Sequence, residues 1–189
     1  MAKVSRRARG PRMQLRDDEV LIVTRLLDEF GALIGDEPSE PAVDGPDDVL
    51  AGLSWPDADP VNLPSDPALR RLLPDAYRED PDAAAEFRRY TEASLRDDMM
   101  ADLRAVRQDL LVISDKGHAT LDDEAAQAWL RVLNRVRLVL AVRLEIETAD
   151  DHEALALLAS LDDDDPRVEP FLMYEWVGYV LGSLLEAVM

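Results

Sequence analysis

The sequence contains no cysteine among its 189 residues and only two histidines. Without cysteine, disulfide bonds, cysteine-ligated zinc and iron–sulfur clusters are excluded. His118 and His152 stand apart and form no metalloprotease motif, so both imidazoles are expected to face solvent. The sequence also lacks a glycine-rich phosphate loop, a nucleophile elbow and a dinucleotide fingerprint. We therefore expect a protein that is not an enzyme and needs no cofactor or metal.

Positive charge is also scarce, with 21 Lys+Arg against 40 Asp+Glu and a net charge of -19. Residues 1–16 contain six of the bases and no acid, which leaves -25 on the rest of the chain. A body of that charge repels nucleic-acid and lipid phosphates at long range. We expect residues 1–16 to form a flexible basic arm that contacts DNA, folds back onto acidic residues, or only keeps the terminus soluble. The candidate nucleic-acid contacts are Lys3, Arg6, Arg7, Arg9 and Arg12.

Proline is absent from residues 82–165, whereas nine of the 12 prolines lie between positions 38 and 81. Because proline breaks helix interiors, residues 82–165 are expected to be helical and the proline-rich stretch before them to be a linker. Residues 35–66 also contain nine acids and no base. This pattern predicts a long acidic, proline-rich loop, extended or partly disordered. Its expected anchor to the body is the apolar set Val49, Leu50, Leu53 and Trp55.

Apolar residues at three- and four-residue steps predict helices over about 17–34, 66–72, 81–114, 122–147, 151–161 and 168–187. No segment longer than a few residues alternates with period two, so no sheet is expected. The sequence therefore predicts a single all-α domain over residues 17–189, a bundle of five or six helices with the acidic loop inside it.

The final predicted helix is apolar on nearly every face. A helix of that kind is central in its own core or shared with a second subunit, which favours a homodimer. The candidate dimer-interface residues are Trp176, Tyr179, Val180 and Leu184. Glu175 and Glu186 interrupt the apolar stretch, and the basic arm lacks the apolar core of a secretory signal. We expect a cytoplasmic protein with no membrane association.

Arg137 falls on the apolar stripe of the helix predicted over 122–147. A charge inside a core is costly unless it is paired and hydrogen-bonded, so a carboxylate partner is expected. Glu86 and Glu92 on the preceding long helix are the candidates, and Asn134 could complete a buried polar network. The network either locks the helices together or binds a ligand, and the first interpretation is favoured.

Acidic clusters at Asp97, Asp98 and Asp102 and at residues 162–165 could in principle hold a cation. The second cluster lacks the spaced ligands of a calcium loop, and the first lacks the Glu-x-x-His pairs of carboxylate-bridged bundles. For residues 162–165 a solvated loop that also caps the next helix is favoured over a metal site, and a metal-dependent enzyme is the least favoured class of function.

Two segments indicate a family. Residues 66–92, DPALRRLLPDAYREDPDAAAEFRRYTE, and residues 129–144, WLRVLNRVRLVLAVRL, resemble the actinobacterial AosR-like proteins. The resemblance extends from the first helix to the last. It implies a cytoplasmic, non-enzymatic regulator of transcription under oxidative stress that acts with a sigma factor or RNA polymerase. An adaptor or scaffold for another system, such as regulated proteolysis, is the alternative.

The chain departs from the family pattern at three points. The pattern would place Asp at Arg135 and Gly at Ala141, and the described regulator senses oxidants through cysteines, which this chain lacks. A thiol–disulfide switch is therefore impossible here. Oxidation of methionine, for instance Met99 or Met100, is the remaining protein-borne redox response.

Overall fold

The computed structural model describes residues 2–35, 64–77, 79–162 and 164–189. Within them, three short strands and six helices follow one another as β1 (Lys3–Ser5), β2 (Arg12–Gln14), α1 (Asp17–Ile34), α2 (Pro67–Leu72), α3 (Pro81–Lys116), β3 (His118–Thr120), α4 (Asp123–Arg143), α5 (Ala149–Leu161) and α6 (Val168–Val188). The prediction of an all-α bundle of five or six helices is confirmed. Most of the predicted acidic loop, with its expected anchor at residues 49–55, lies outside the described residues.

Short polar side chains and glycines set the ends of the helices. Asp66, Asp80 and Asp122 precede α2, α3 and α4, and each carboxylate accepts a hydrogen bond from a backbone N–H in the first turn. Gly35 and Gly117 end α1 and α3 with positive φ angles of 88° and 72°, a conformation that glycine adopts without strain. These ends explain why the helix boundaries could be predicted from the sequence.

Helix α4 lies at the centre of the bundle and packs against α6, α3, α2 and α1. Helix α1 also packs on α3, and α5 lies on α6. The core contains Phe30, Leu103, Trp129, Val177 and Leu184, all of which are 2% exposed or less. Most of the described buried apolar residues join in one cluster that spans helices and strands.

The three strands form an antiparallel sheet in the order β1-β2-β3. Val4 pairs with Met13 and Met13 with Ala119, so these three side chains share the inner face, where Met13 is fully buried. Strand β1 packs against α6 and β3 against α3, which joins the sheet to the bundle. The expectation of no sheet is wrong, and the arm expected to be flexible is an ordered hairpin.

Helix α6 has one buried and one exposed face. Val180 and Leu184 are 1% and 0% exposed inside the chain's own core, so their prediction as dimer-interface residues is wrong. Trp176 is half-buried and Tyr179 is exposed, so these two stay candidates. By length and composition alone α6 could cross a membrane, a weak signal that core helices also give.

Candidate functional site

The outer face of the sheet is polar and cationic. Lys3 pairs with Gln14 and Gln14 with His118, whereas Ser5 pairs with Arg12 and Arg12 with Thr120. Because side chains alternate along a strand, all six point away from the face that contains Met13. The loop between β1 and β2 adds the exposed side chains of Arg6, Arg7 and Arg9. We call Lys3, Arg6, Arg7, Arg9 and Arg12 the cationic sheet face.

A glycine fixes the hairpin loop in place. Gly10 has φ 110°, and a Cβ built on it would lie 1.9 Å from the carbonyl oxygen of Leu121. The backbone N–H of Leu121 donates to the carbonyl of Pro11 at 2.9 Å. Only a residue without a side chain allows this approach, so the basic loop is held against the junction of β3 and α4.

All five residues predicted to contact nucleic acid therefore lie on one ordered surface. Among the described residues, none of their side chains forms an ion pair. Asp122, before the start of α4, borders the loop, with its Cα 3.7 Å from where a Cβ on Gly10 would lie. The surface presents positive charge that no carboxylate of the described chain neutralises.

A second candidate site surrounds Arg137. It is a cleft of about 500 Å³ where α2, α4, α5 and α6 meet. Its lining includes Arg71, Asn134, Arg137, Leu138, His152 and Tyr174. We call it the Arg137 cleft. A separate neighbouring cavity of about 890 Å³ shares Arg71 and Leu138 with it.

Arg137 is held by an aromatic ring rather than by an acid. Its Nη2 donates to the hydroxyl of Tyr174 at 2.7 Å, and its Cζ lies 4.5 Å from the centroid of that ring. Gly178 leaves room for the arginine beneath α6, since a Cβ there would lie 3.2 Å from Nε. That Nε is buried and has no hydrogen-bond partner among the described residues.

The predicted carboxylate partner of Arg137 is therefore wrong. Glu86 is exposed, and Glu92 accepts hydrogen bonds from Arg96, one turn along the same helix. Asn134 does line the cleft with Arg137, but its side chain is exposed and completes no buried network. A cation stacked on an aromatic face gains electrostatic attraction without a second charge, which explains how Arg137 is tolerated.

The two histidines differ in their surroundings. His152 packs near the rings of Phe171 and Tyr174, at centroid distances of 5.3 and 6.2 Å, and its Nε2 lies 2.8 Å from Glu175 Oε1. The side chain of His152 is 36% exposed, so it faces solvent as expected on one side but also packs against these rings, which the prediction did not include. His118 Nδ1 contacts the carbonyl of Lys116 at 3.0 Å. Across the described ranges, no three His, Asp or Glu residues are grouped to hold a metal ion.

The first acidic cluster is dominated by an ion-pair clasp. Asp102 is buried and accepts hydrogen bonds from Arg131 Nε at 2.8 Å, Arg131 Nη2 at 2.5 Å and Arg135 Nη1 at 2.6 Å. Burial raises the pKa of Asp102, but the hydrogen bonds and charges of the two arginines outweigh burial and lower the pKa below its ordinary value. The carboxylate is occupied in joining α3 to α4, which leaves no metal site with Asp97 and Asp98.

The second acidic cluster lies in the loop before α6. Asp165 accepts hydrogen bonds from the side chain and the backbone N–H of Arg167, which lower the pKa of Asp165 to about 2. Asp162 accepts from the backbone N–H of Asp164 at 3.2 Å, whereas residue 163 lies outside the described ranges. The described part of the cluster is solvated and local in its contacts.

Sequence reasoning missed Tyr174, Arg71 and the clasp. Arg131 and Arg135 lie four residues apart and so share a face of α4, a spacing that calls for a common acid. Tyr174 and Gly178 have the same spacing on α6, where a ring beside a glycine offers room for a long side chain. Nothing in the local sequence marks Arg71 as part of a site, because it reaches the cleft only through the tertiary fold, which brings α2 to the end of α4.

Comparison with known proteins agrees with the motifs. The profile of a family described as a domain of unknown function, DUF2017, matches residues 1–188. Proteins of Mycobacterium bovis and Mycobacterium tuberculosis named "Oxidative stress regulator AosR" are 30% identical over 193 residues, covering 95% of this chain and 84% of their own. No solved structure matches the chain. The chain therefore belongs to the DUF2017 family, and its resemblance to the AosR-like proteins is confirmed.

Proposed function

We propose that this chain is a non-enzymatic, cytoplasmic regulator that acts on transcription by contact with a sigma factor or RNA polymerase. The name of its mycobacterial relatives supports the regulatory class. The observation that carries the step to transcription is the cationic sheet face, an ordered set of bases on a chain whose residues 17–189 carry -25. Such a chain attracts phosphates at one face and repels them over the rest of its surface.

The size of this face argues for help from a protein partner. Each phosphate neutralised on duplex DNA contributes a slope of about -0.9 to the dependence of log K on log salt, so five bases give at most about -4 to -5. The acidic body opposes the same approach. DNA binding by the isolated chain is therefore weak and salt-sensitive, and contact with a protein already at the promoter supplies the missing affinity.

The outer face of α6 is the surface that fits such a contact. Leu172 and Tyr179 are exposed on it and Trp176 is half-buried between them in the same stripe. Aromatic side chains of this kind carry much of the binding energy in protein interfaces. The same stripe would serve a homodimer, which light scattering of the purified chain at micromolar concentration tests directly.

The cationic sheet face is tested by neutralising its loop. We expect Arg6→Gln/Arg9→Gln to weaken binding to a labelled duplex and to reduce the salt slope by about 2, measured by fluorescence anisotropy between 50 and 200 mM salt. The matched control is Arg70→Gln/Arg104→Gln, which removes the same charge from exposed sites outside this face. Deletion of residues 1–16 is unsuitable, because Met13 and Leu15 belong to the core.

If the two double variants change the duplex affinity and its salt slope equally, the cationic sheet face is not the DNA contact. Affinity capture from the native host tests the protein contact, since RNA polymerase and sigma subunits should be retained. Loss of those subunits in a Tyr179→Asp variant, with retention in wild type, would locate the contact on α6.

An adaptor or scaffold role is the second candidate. The exposed apolar residues Leu157 and Leu161 on α5 favour this role. They lie outside the cationic sheet face and offer a surface that could bind another protein without nucleic acid. Capture of protease subunits instead of RNA polymerase would support this role.

The response to oxidants has no cysteine to act through. Met99 is buried and shielded from solvent, whereas Met100 is half-buried. Of the two methionines considered, Met100 is the better placed to form a sulfoxide.

A further inference from the structure

We propose that the Arg137 cleft binds a small organic acid, with one carboxylate on Arg137 and Arg71 and an apolar body against the wall of α4. The cleft volume of about 500 Å³ lies within the range of roughly 300–1,000 Å³ that is usual for small-molecule sites. This inference is independent of the proposed function, because it concerns neither the cationic sheet face nor the outer face of α6.

The first support for an anion site is that the guanidinium of Arg137 is held in place but has no acidic partner in the described chain. Its guanidinium plane is fixed by the ring and hydroxyl of Tyr174, and it has no carboxylate within ion-pair distance among the described residues. The buried Nε lies against Gly178 beneath α6, so the donors that a ligand in the cleft can reach are the terminal nitrogens of the guanidinium, of which Nη2 also donates to Tyr174. A guanidinium held in one plane is preorganised for the two parallel hydrogen bonds that a carboxylate accepts.

The rest of the lining selects the ligand class. Arg71 is exposed on α2 and also lacks an ion pair in the part of the chain that the structure describes. Glu147 and Glu153 line the same cleft, so a monoanion suits its field better than a phosphate dianion does. Leu138, Ala141 and Ile146 provide an apolar wall for the body of the ligand. 

Part of the helix N-terminus beside the cleft is already occupied. The backbone N–H groups of Glu147 and Thr148 donate to Asp151, and the backbone N–H of Asp151 donates to the Thr148 hydroxyl, at 3.1, 2.8 and 3.3 Å. These three N–H groups are therefore not open to a ligand. The positive charge of the cleft lining comes from Arg71 and Arg137.

Benzoate is the probe, since it joins one carboxylate to a small apolar body. Benzamide keeps the shape without the charge, and inorganic phosphate keeps the charge without the body. We expect benzoate to bind the full chain at millimolar concentration and to shift the arginine Nε–H signal that Arg137→Lys removes from the NMR spectrum. Arg137→Lys should weaken benzoate binding by about tenfold or more, since lysine lacks the planar fork.

Arg71→Gln provides a variant that leaves the fold intact, because Arg71 is exposed. It should weaken benzoate binding by a few-fold, whereas the control Arg104→Lys on α3 should leave it unchanged. Benzoate binding that is equal in wild type, Arg137→Lys and Arg71→Gln would overturn the site. Equal binding of benzoate and benzamide would overturn the role of the charge, and binding of phosphate but not benzoate would overturn the organic acid.

Discussion

The clasp between α3 and α4 gives the sharpest test of the structure. Asp102 is 8% exposed and accepts three hydrogen bonds from two guanidinium groups, those of Arg131 and Arg135. Asp102→Asn keeps the size of the side chain but removes its charge, and it replaces one acceptor oxygen with an NH2 that faces arginine donors. The two arginines then lose their common carboxylate.

The cost follows from the exposure of the arginines. Removing one partner of a buried ion pair costs about 3–5 kcal/mol, because the other charge is left uncompensated. The side chains of Arg131 and Arg135 are 47% and 20% exposed, so water replaces part of what they lose. We expect Asp102→Asn to lower the free energy of unfolding by about 2–3 kcal/mol.

Urea unfolding followed by far-UV circular dichroism at pH 7 measures this change. With a slope of about 2 kcal/mol per M, the midpoint should fall by roughly 1 M at unchanged slope. Asp97→Asn, at an exposed site on the same helix, is the control and should stay within about 0.5 kcal/mol of wild type. If Asp102→Asn also stays within that range, the arginines do not depend on this carboxylate and the reasoning is refuted.

The pH dependence of the clasp has a defined sign. Because the arginines lower the pKa of Asp102 in the folded state, the clasp stabilises the protein fully above the ordinary aspartate pKa of 3.8. That stability is lost as pH falls through the lowered pKa of Asp102. The difference between wild type and Asp102→Asn should therefore be constant from about pH 7 to 5 and shrink below about pH 4.

Two further predictions concern backbone fit and a buried acid. Gly10→Ala should cost about 3 kcal/mol or more in urea unfolding, because its Cβ meets the Leu121 carbonyl, whereas Gly35→Ala, with open space around it, should cost only about 1–2 kcal/mol of strain. Burial raises the pKa of Asp109 despite the hydrogen bond from Trp129 Nε1 at 3.0 Å, so the charged form is destabilising at pH 7. Asp109→Asn should therefore be at least as stable as wild type at pH 7, and its advantage should narrow as pH falls through the raised pKa of Asp109 toward the ordinary value of 3.8; a variant less stable at pH 7 would contradict the sign.

The helices could be predicted because their signals are local. An aspartate before the first turn and a glycine after the last lie within a few residues of the boundary that they set, as at Asp80 and Gly117 around α3. The helical spacing of apolar residues such as Trp129 and Leu133 predicts which face of α4 is buried. In α6 nearly every position is apolar, so the period could not show that Val180 and Leu184 face the chain's own core.

The sheet and the partner of Arg137 could not be predicted for a common reason. Strands β2 and β3 are neighbours in the sheet but are far apart in sequence, with α1, α2 and α3 between them. Both strands are three residues long, too short for an alternation of apolar and polar residues to stand out. Arg137 could be placed on the inner stripe of α4, but the opposing helix depends on the tertiary fold. The opposing helix is α6, and it offers Tyr174 where Glu86 and Glu92 on α3 had been expected.

The unpaired arginines connect the two candidate sites. With 40 acids for 21 bases, an arginine in this chain lacks a carboxylate because of where it lies, not because acids are few. Where arginines hold helices together, as at Asp102, the acid is present. At the cationic sheet face and in the Arg137 cleft, by contrast, the arginines have no carboxylate partner among the described residues. Each of these two places groups arginines on one surface, so their positive charge is available to anions that come from outside the chain, phosphates at the sheet and a carboxylate in the cleft.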